Sequence, residues 1–178
     1  MPIPGKDSPL WRFDPLVEIT TSRGVMVFEL FPAEAPVHVH SFLQLIERHA
    51  YDGLTFHRVV PDFVVQGGDY RGDGNGARPW EGESLRAEFT PRKTTRGSLG
   101  MPRNEDPDSG GSQFFVTHLP TPTSTGATRS SASCARAARS STSSRWEIAS
   151  VRPPVALTGV GNPSFPRVGG KDVHNSLA

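Results

Sequence analysis

Residues 123–145 hold no large apolar side chain: twelve Ser or Thr, five Ala, four Arg, one Gly and one Cys make up all 23 positions. Such a stretch cannot bury enough surface to offset the entropy of ordering it. In a chain of 178 residues the hydrophobic core must therefore come almost entirely from what precedes, which leaves material for one domain rather than two. The organisation read from the sequence is an N-terminal extension over 1–14, a folded domain over 15–122, an atypical Ser/Arg/Ala-rich segment over 123–147, and a strand candidate with a tail over 148–178. Nineteen Lys and Arg against eighteen Asp and Glu give a net charge of +1, too small a field for the molecule as a whole to seek nucleic acid or an anionic membrane. No run of apolar residues reaches the length of a membrane span, and the first residues lack the apolar stretch of a secretory signal. The expectation is a cytoplasmic monomer. One cysteine, Cys134, rules out an internal disulfide and a cysteine-rich zinc site.

Eighteen Gly and seventeen Pro make up about a fifth of the chain against a usual ~12%, so turns abound and a mainly β fold is favoured. VEITTSRGVMVFELF over 17–31 reads as a hairpin, two β-branched and aromatic runs split by Ser-Arg-Gly. After Pro32, Val39, Phe42, Leu43 and Ile46 recur at helical intervals behind Pro36 and predict a helix that ends near Gly53. LTFHRVV and DFVVQGG follow as strands around Pro61-Asp62, then a Gly-rich loop from 67 to about 82. The segments 97–101 and 112–118 complete a set of six strands and one helix before residue 120.

Several chemical motifs are weaker than they look. DYRGDGNGA over 69–77 lacks the Gly-Lys-Ser/Thr ending of a phosphate loop, and no helix follows it. His38 and His40 have no second pair with which to hold zinc. Ser112 sits in GGSQF, which is not a nucleophile elbow. The Arg-rich stretch 123–152 has five Arg against one Glu, an electrostatic attraction for nucleic acid, but apart from Trp146 it lacks the interleaved aromatics that stack on bases. What remains is Arg58, an arginine in a strand, with Gln66, Gln113 and Phe115. Strand alternation puts Val64 with Gln66 and Gln113 with Phe115 on shared faces, while Phe114 and Val116 point into a core.

FHRVVPDFVVQGGD over 56–69 and SLGMPRNEDPDSGGSQFF over 98–115 resemble the cyclophilin family of peptidyl-prolyl cis-trans isomerases, and the resemblance runs from about residue 17 to 122. It implies a closed, eight-stranded antiparallel barrel with helices capping its ends and a peptide groove outside the barrel. By that resemblance Arg58 takes the catalytic place. Phe63, Val64 and Phe115 line a proline pocket, and Gln66 and Gln113 position the peptide and the arginine. Pro102 and Arg103 fall where the groove presents Ala-Asn or Ala-Arg. No metal and no cofactor is implied; the partners implied are proline-containing peptide segments or unfolded proteins. A non-catalytic proline-peptide binding module is the alternative.

Beyond LPTP at 119–122 the sequence leaves the family pattern. A stretch coding for HLDGRYTVFG, written with GC-rich codons and stripped of its first base, decodes as TSTGATRSS, which is residues 123–131. A reading-frame shift near residue 123, recovered near 148–152, accounts for the composition. Thr123 and Thr128 then stand where the family carries aromatic or histidine groove residues, implying weak binding of cyclosporin-like ligands. Loss of a strand and a helix there would leave sheet edges unpaired, with 148–156 a candidate for the closing strand.

Overall fold

In the computed structural model of this chain, residues 14–80, 82 and 84–119 are described, together with the strand over 148–152. The Ser/Arg-rich segment, with Thr123, Thr128 and Cys134, lies outside the described residues.

The opening hairpin pairs β1 (Leu16–Thr21) with β2 (Gly24–Glu29) in continuous antiparallel register from Leu16↔Glu29 to Thr21↔Gly24. Thr21 closes the turn: its hydroxyl donates to the Gly24 carbonyl at 2.8 Å and accepts the Arg23 N–H at 3.1 Å. Gly24 has φ +132°, a region side-chain-bearing residues avoid. Val17, Ile19, Met26 and Phe28 turn inward and are fully or almost fully buried.

Helix α1 (Pro36–Glu47) buries Val39, Phe42, Leu43 and Ile46, the apolar stripe read from the sequence, along with His38 and Ser41. It ends earlier than Gly53. His49 takes the left-handed conformation at φ +56°. Its N–H donates to the Ile46 carbonyl while the Ala50 N–H reaches back to Leu45, the pairing of a Schellman ending without its usual glycine. The His49 ring contacts the Asp52 carboxylate at 3.0 Å; a polar side chain that bonds locally makes the left-handed turn affordable.

The start of the helix is unusual. Ala35 offers no side-chain cap; instead the carboxylate of Glu88, some fifty residues on, accepts the Val37 N–H at 3.0 Å and the His38 N–H at 2.9 Å. A negative group there satisfies orphan donors and complements the helix dipole.

The second sheet has the order β3-β4-β6-β5, with β3 (Arg58–Val60), β4 (Val64–Gly67), β5 (Leu99–Gly100) and β6 (Phe114–Thr117). These four strands are shorter than the runs that mark them in the sequence. β7 (Ile148–Arg152) lies antiparallel to β1, with a register shift between Thr20 and Thr21. Among the described residues the fold is thus mainly β, antiparallel, with one helix. The strands form a three-stranded and a four-stranded sheet rather than a closed barrel of eight, and α1 is the sole helix among them. Closure needs hydrogen-bonded neighbours at every edge, and among the described residues the two sheets share no strand.

The core joins both sheets to the helix. Phe114 on β6 stands at its centre, with ring centroids 5.7 Å from Phe42, 5.6 Å from Tyr51 and 5.9 Å from Phe56. The contacts are edge-to-face, the favoured arrangement for such rings. Tyr51 is buried, and its hydroxyl donates to the Ser112 carbonyl at 3.0 Å; burial raises its pKa.

His38 is 1% exposed, and its ring lies 3.6 Å from Glu88. Burial, partly offset by the Arg86 backbone, lowers its pKa from 6.5 to about 4. The folded state therefore disfavours the imidazolium, so as pH falls from about 6.5 to about 4 the unfolded chain takes up a proton that the folded chain refuses. Stability drops through that window, by up to about 3 kcal/mol from this group. Glu88 opposes the trend, its pKa raised by burial against the pull of the His38 and Val37 N–H groups. Urea unfolding at a series of pH values, on the natural chain and on His38→Leu, is expected to show a smaller acid-side loss in the variant.

Candidate peptide-binding site

Antiparallel register aligns the site. Arg58 faces Gln66 across β3 and β4, Gln66 faces Phe115 across β4 and β6, and Phe115 faces Gly100 across β6 and β5. One row of side chains thus crosses all four strands. The neighbouring row, Val59, Val65, Val116 and Leu99, packs in or against the core. Because side chains alternate along a strand, burying that row presents the first on the opposite face.

Polar contacts extend the row. The Arg58 Nη1 donates to Gln66 Oε1 at 3.3 Å, Gln66 Nε2 donates to Gln113 Oε1 at 2.7 Å, and Gln113 Nε2 donates to the Gly74 carbonyl at 2.8 Å. Arg58 itself is exposed and Gln113 is buried. An anchored amide pair therefore holds one edge of a guanidinium that offers five donors in a rigid plane.

Apolar surface lies beside these groups. The Phe115 ring lies over Gly100: a Cβ added there would overlap three carbons of that ring. Phe63, on the turn between β3 and β4, is 42% exposed, fixed by its N–H to the Val60 carbonyl and its own carbonyl to the His118 N–H at 2.8 Å. Val64 is buried and stands opposite Thr117.

Pro102 and Arg103 are half-buried in the loop leaving β5. Arg103 Nη1 donates to the carbonyls of Asn104 at 3.0 Å and Glu105 at 3.4 Å. The structure thus brings Arg58, Gln66, Gln113 and Phe115 into one contiguous row. Phe63 and Val64 flank it at the β3–β4 turn, and Pro102 and Arg103 follow it only by chain continuity.

Two of the other candidate motifs, Ser112 and the Gly-rich loop, have structural roles. The Ser112 hydroxyl donates to the Gly68 carbonyl at 2.7 Å and accepts the Arg78 N–H at 3.1 Å, so it moors both ends of the Gly-rich loop. That loop is wound around Asp69. The carboxylate of Asp69, 1% exposed, accepts the Arg71 N–H at 2.8 Å and the Gly74 N–H. Burial alone would raise its pKa, but backbone N–H groups of Arg71, Gly76, Gly74 and Gly72 outweigh it and lower the value. Among the described residues no cluster of His, Cys, Asp or Glu could hold a metal ion.

Gly100 and the Gly74 carbonyl were not singled out by sequence reasoning. A glycine at the centre of an apolar strand signals close approach of another group, and that signal was present at Gly100. A backbone carbonyl leaves no trace in residue type.

The family described as "Cyclophilin type peptidyl-prolyl cis-trans isomerase/CLD" matches residues 16–131, more than half of the chain. The chain belongs to the cyclophilin-type peptidyl-prolyl cis-trans isomerase family. It is similar to peptidyl-prolyl cis-trans isomerase-like 1 of Gibberella zeae, 41% identical over 108 residues, covering 60% of this chain and 66% of that protein. The Mus musculus protein of the same name is 43% identical over 109 residues, covering 60% and 65%. Peptidyl-prolyl cis-trans isomerase-like 2 of Cryptococcus neoformans is 40% identical over 123 residues, which cover 67% of this chain and 21% of that one. The chain thus spans less than two thirds of the length of these relatives.

A crystal structure of a Cryptosporidium parvum cyclophilin type peptidyl-prolyl cis-trans isomerase shares the fold, with a TM-score of 0.73 at 24% identity over 81% of this chain and 99% of that one. A second structure of that protein, in the presence of the dipeptide Ala-Pro, gives 0.71 at 25% identity over 79% and 99%.

Gly100→Ala tests the packing of the row. The added methyl forces the Phe115 ring aside, so its aromatic NMR resonances shift and urea unfolding shows a loss of about 1–3 kcal/mol. Unmoved resonances would mean that the ring does not rest on Gly100.

Proposed function

We propose that this chain accelerates cis-trans rotation about Xaa-Pro peptide bonds in unfolded or exposed segments, acting as a folding helper, with Arg58 as the catalytic residue. The observation that carries the reading is the single row of Arg58, Gln66 and Phe115 extended to Gln113, in a chain of this family.

Rotation about a peptide bond faces a barrier of ~18–20 kcal/mol, because the nitrogen lone pair is conjugated with the carbonyl. In the twisted transition state that lone pair localises on nitrogen and becomes a better acceptor. A guanidinium donor aimed at it stabilises the twisted form more than either planar isomer, and only such a differential interaction lowers the barrier. Arginine suits the task because it stays protonated across the working pH range. In this reading Phe63, Val64 and Phe115 grip the proline ring, and the removal of water there strengthens the donor's pull. Gln66 and Gln113 hold the arginine and the peptide, while Pro102 and Arg103 meet the chain outside the pocket. Rotation breaks no covalent bond and transfers no proton, so the groups named here suffice for the step.

Arg58→Ala is the direct test, read by cis-trans exchange of a Pro-containing peptide in NMR or a coupled isomerisation assay. The expected loss in kcat/KM is about 100-fold or more. Because Arg58 is exposed, the change in unfolding free energy should stay within about 0.5 kcal/mol. Equal rates for the two proteins would reject the proposal, and peptide binding without any acceleration by the natural chain would select a non-catalytic binding module.

A further inference from the structure

The chain of contacts behind Arg58 has a fixed polarity, and its far end is a buried carboxylate with no evident part in binding peptide. Gly74 offers a carbonyl, which can only accept, so Gln113 must turn its NH2 group toward it. That leaves Gln113 Oε1 to accept from Gln66 Nε2, and Gln66 Oε1 to accept from Arg58, a group that can only donate. Flipping either amide would set oxygen against oxygen and an NH2 group against a cation or another NH2 group. The orientation of the guanidinium is therefore decided by where the Gly74 carbonyl sits.

Gly74 itself lies in an exposed loop at φ +91°, where the backbone has wide freedom. Asp69 removes that freedom. Its Oδ2 accepts the Gly74 N–H and its Oδ1 accepts the Arg71 N–H at 2.8 Å, while its own carbonyl accepts the Gly72 N–H at 3.2 Å. The loop closes so tightly around the carboxylate that a Cβ on Gly76 would collide with Asp69 Oδ1. Charge-assisted bonds from backbone N–H groups to a carboxylate are stronger than neutral ones.

We infer that Asp69 is a positioning residue for Arg58: by pinning Gly74 it sets the polarity of the Gly74–Gln113–Gln66 chain and so the aim of the guanidinium. This rests on the isomerase reading for its consequence in rate, but not for the chain of contacts itself.

The test is a double-mutant cycle on the full chain with Asp69→Asn and Gln113→Leu, read by kcat and KM for a Pro-containing peptide. Asp69→Asn keeps an acceptor but loses the charge and places an NH2 group among N–H donors. Asp69→Asn should lower kcat about tenfold with KM much less affected, since what is lost is alignment in the transition state; Gln113→Leu should lower kcat by a similar factor and also raise KM, because in this reading Gln113 holds the peptide too. With the contacts cut at Gln113, Asp69→Asn should cost no more than about twofold further. A merely structural aspartate would give losses that multiply to about 100-fold, and this, or an unchanged kcat in Asp69→Asn, overturns the inference.

The side-chain amide resonances of Gln66 give a readout independent of activity: they should shift in Asp69→Asn. If the natural chain proves inactive while these resonances shift, the isomerase reading falls and the positioning stands; if they do not move, the positioning falls whatever the activity. Should Asp69→Asn not fold, Asp69→Glu, which keeps the charge but displaces the carboxylate, carries the same cycle.

Discussion

Phe114 and Phe115 are adjacent in sequence and serve opposite sides of β6, and nearly everything else in the molecule follows from that division. Phe114 is held by the rings of Phe42, Tyr51 and Phe56, which fixes both the register of the sheet and its inward face. Phe115 then has no choice but to stand on the other face, opposite Gln66 on one neighbour and Gly100 on the other. A slip of one residue would exchange the two, burying a polar row and exposing an aromatic one. The core thus specifies the site as a by-product of its own packing.

The loops make a second layer of constraint. The Gly-rich segment looks permissive, but it is held at several points: by Asp69 from within, by Ser112 at the Arg78 N–H, and by Ser41 at the Trp80 N–H at 2.9 Å. Arg48 stacks over the Trp80 ring at 3.8 Å, tying the same loop to the end of α1. Glu88 then ties the following segment to the start of that helix. Helix, loop and sheet are thereby joined through side chain–backbone contacts that cost little entropy once the core has formed. A rigid frame of this kind holds the row of Arg58, Gln66 and Phe115 in a fixed geometry.

Much of this was legible beforehand, and the errors are physically informative. The hairpin at 17–31 and the stripe of Val39, Phe42, Leu43 and Ile46 are periodic patterns, and periodicity survives into structure because it reflects which face is buried. The sequence places the end of α1 near Gly53, glycine being the commonest left-handed residue, whereas in the structure His49 takes that role with help from Asp52. The closed barrel did not appear among the described residues. Barrel closure depends on strands that must be supplied from the far end of the chain, where the composition departs from the family pattern.

The sequence by itself determined the alternation that separates the buried face of the second sheet from its other face, and the motifs that mark the family. Those are local or periodic properties, written in the order of side chains. Only the tertiary structure decided that Glu88 caps a helix that begins fifty residues earlier, that Gly100 makes room for the Phe115 ring, and that Asp69 stands behind Arg58. Each of these joins residues far apart in the chain through a backbone group or an absence of side chain, and neither a carbonyl's direction nor an empty space is encoded in the identity of any single residue.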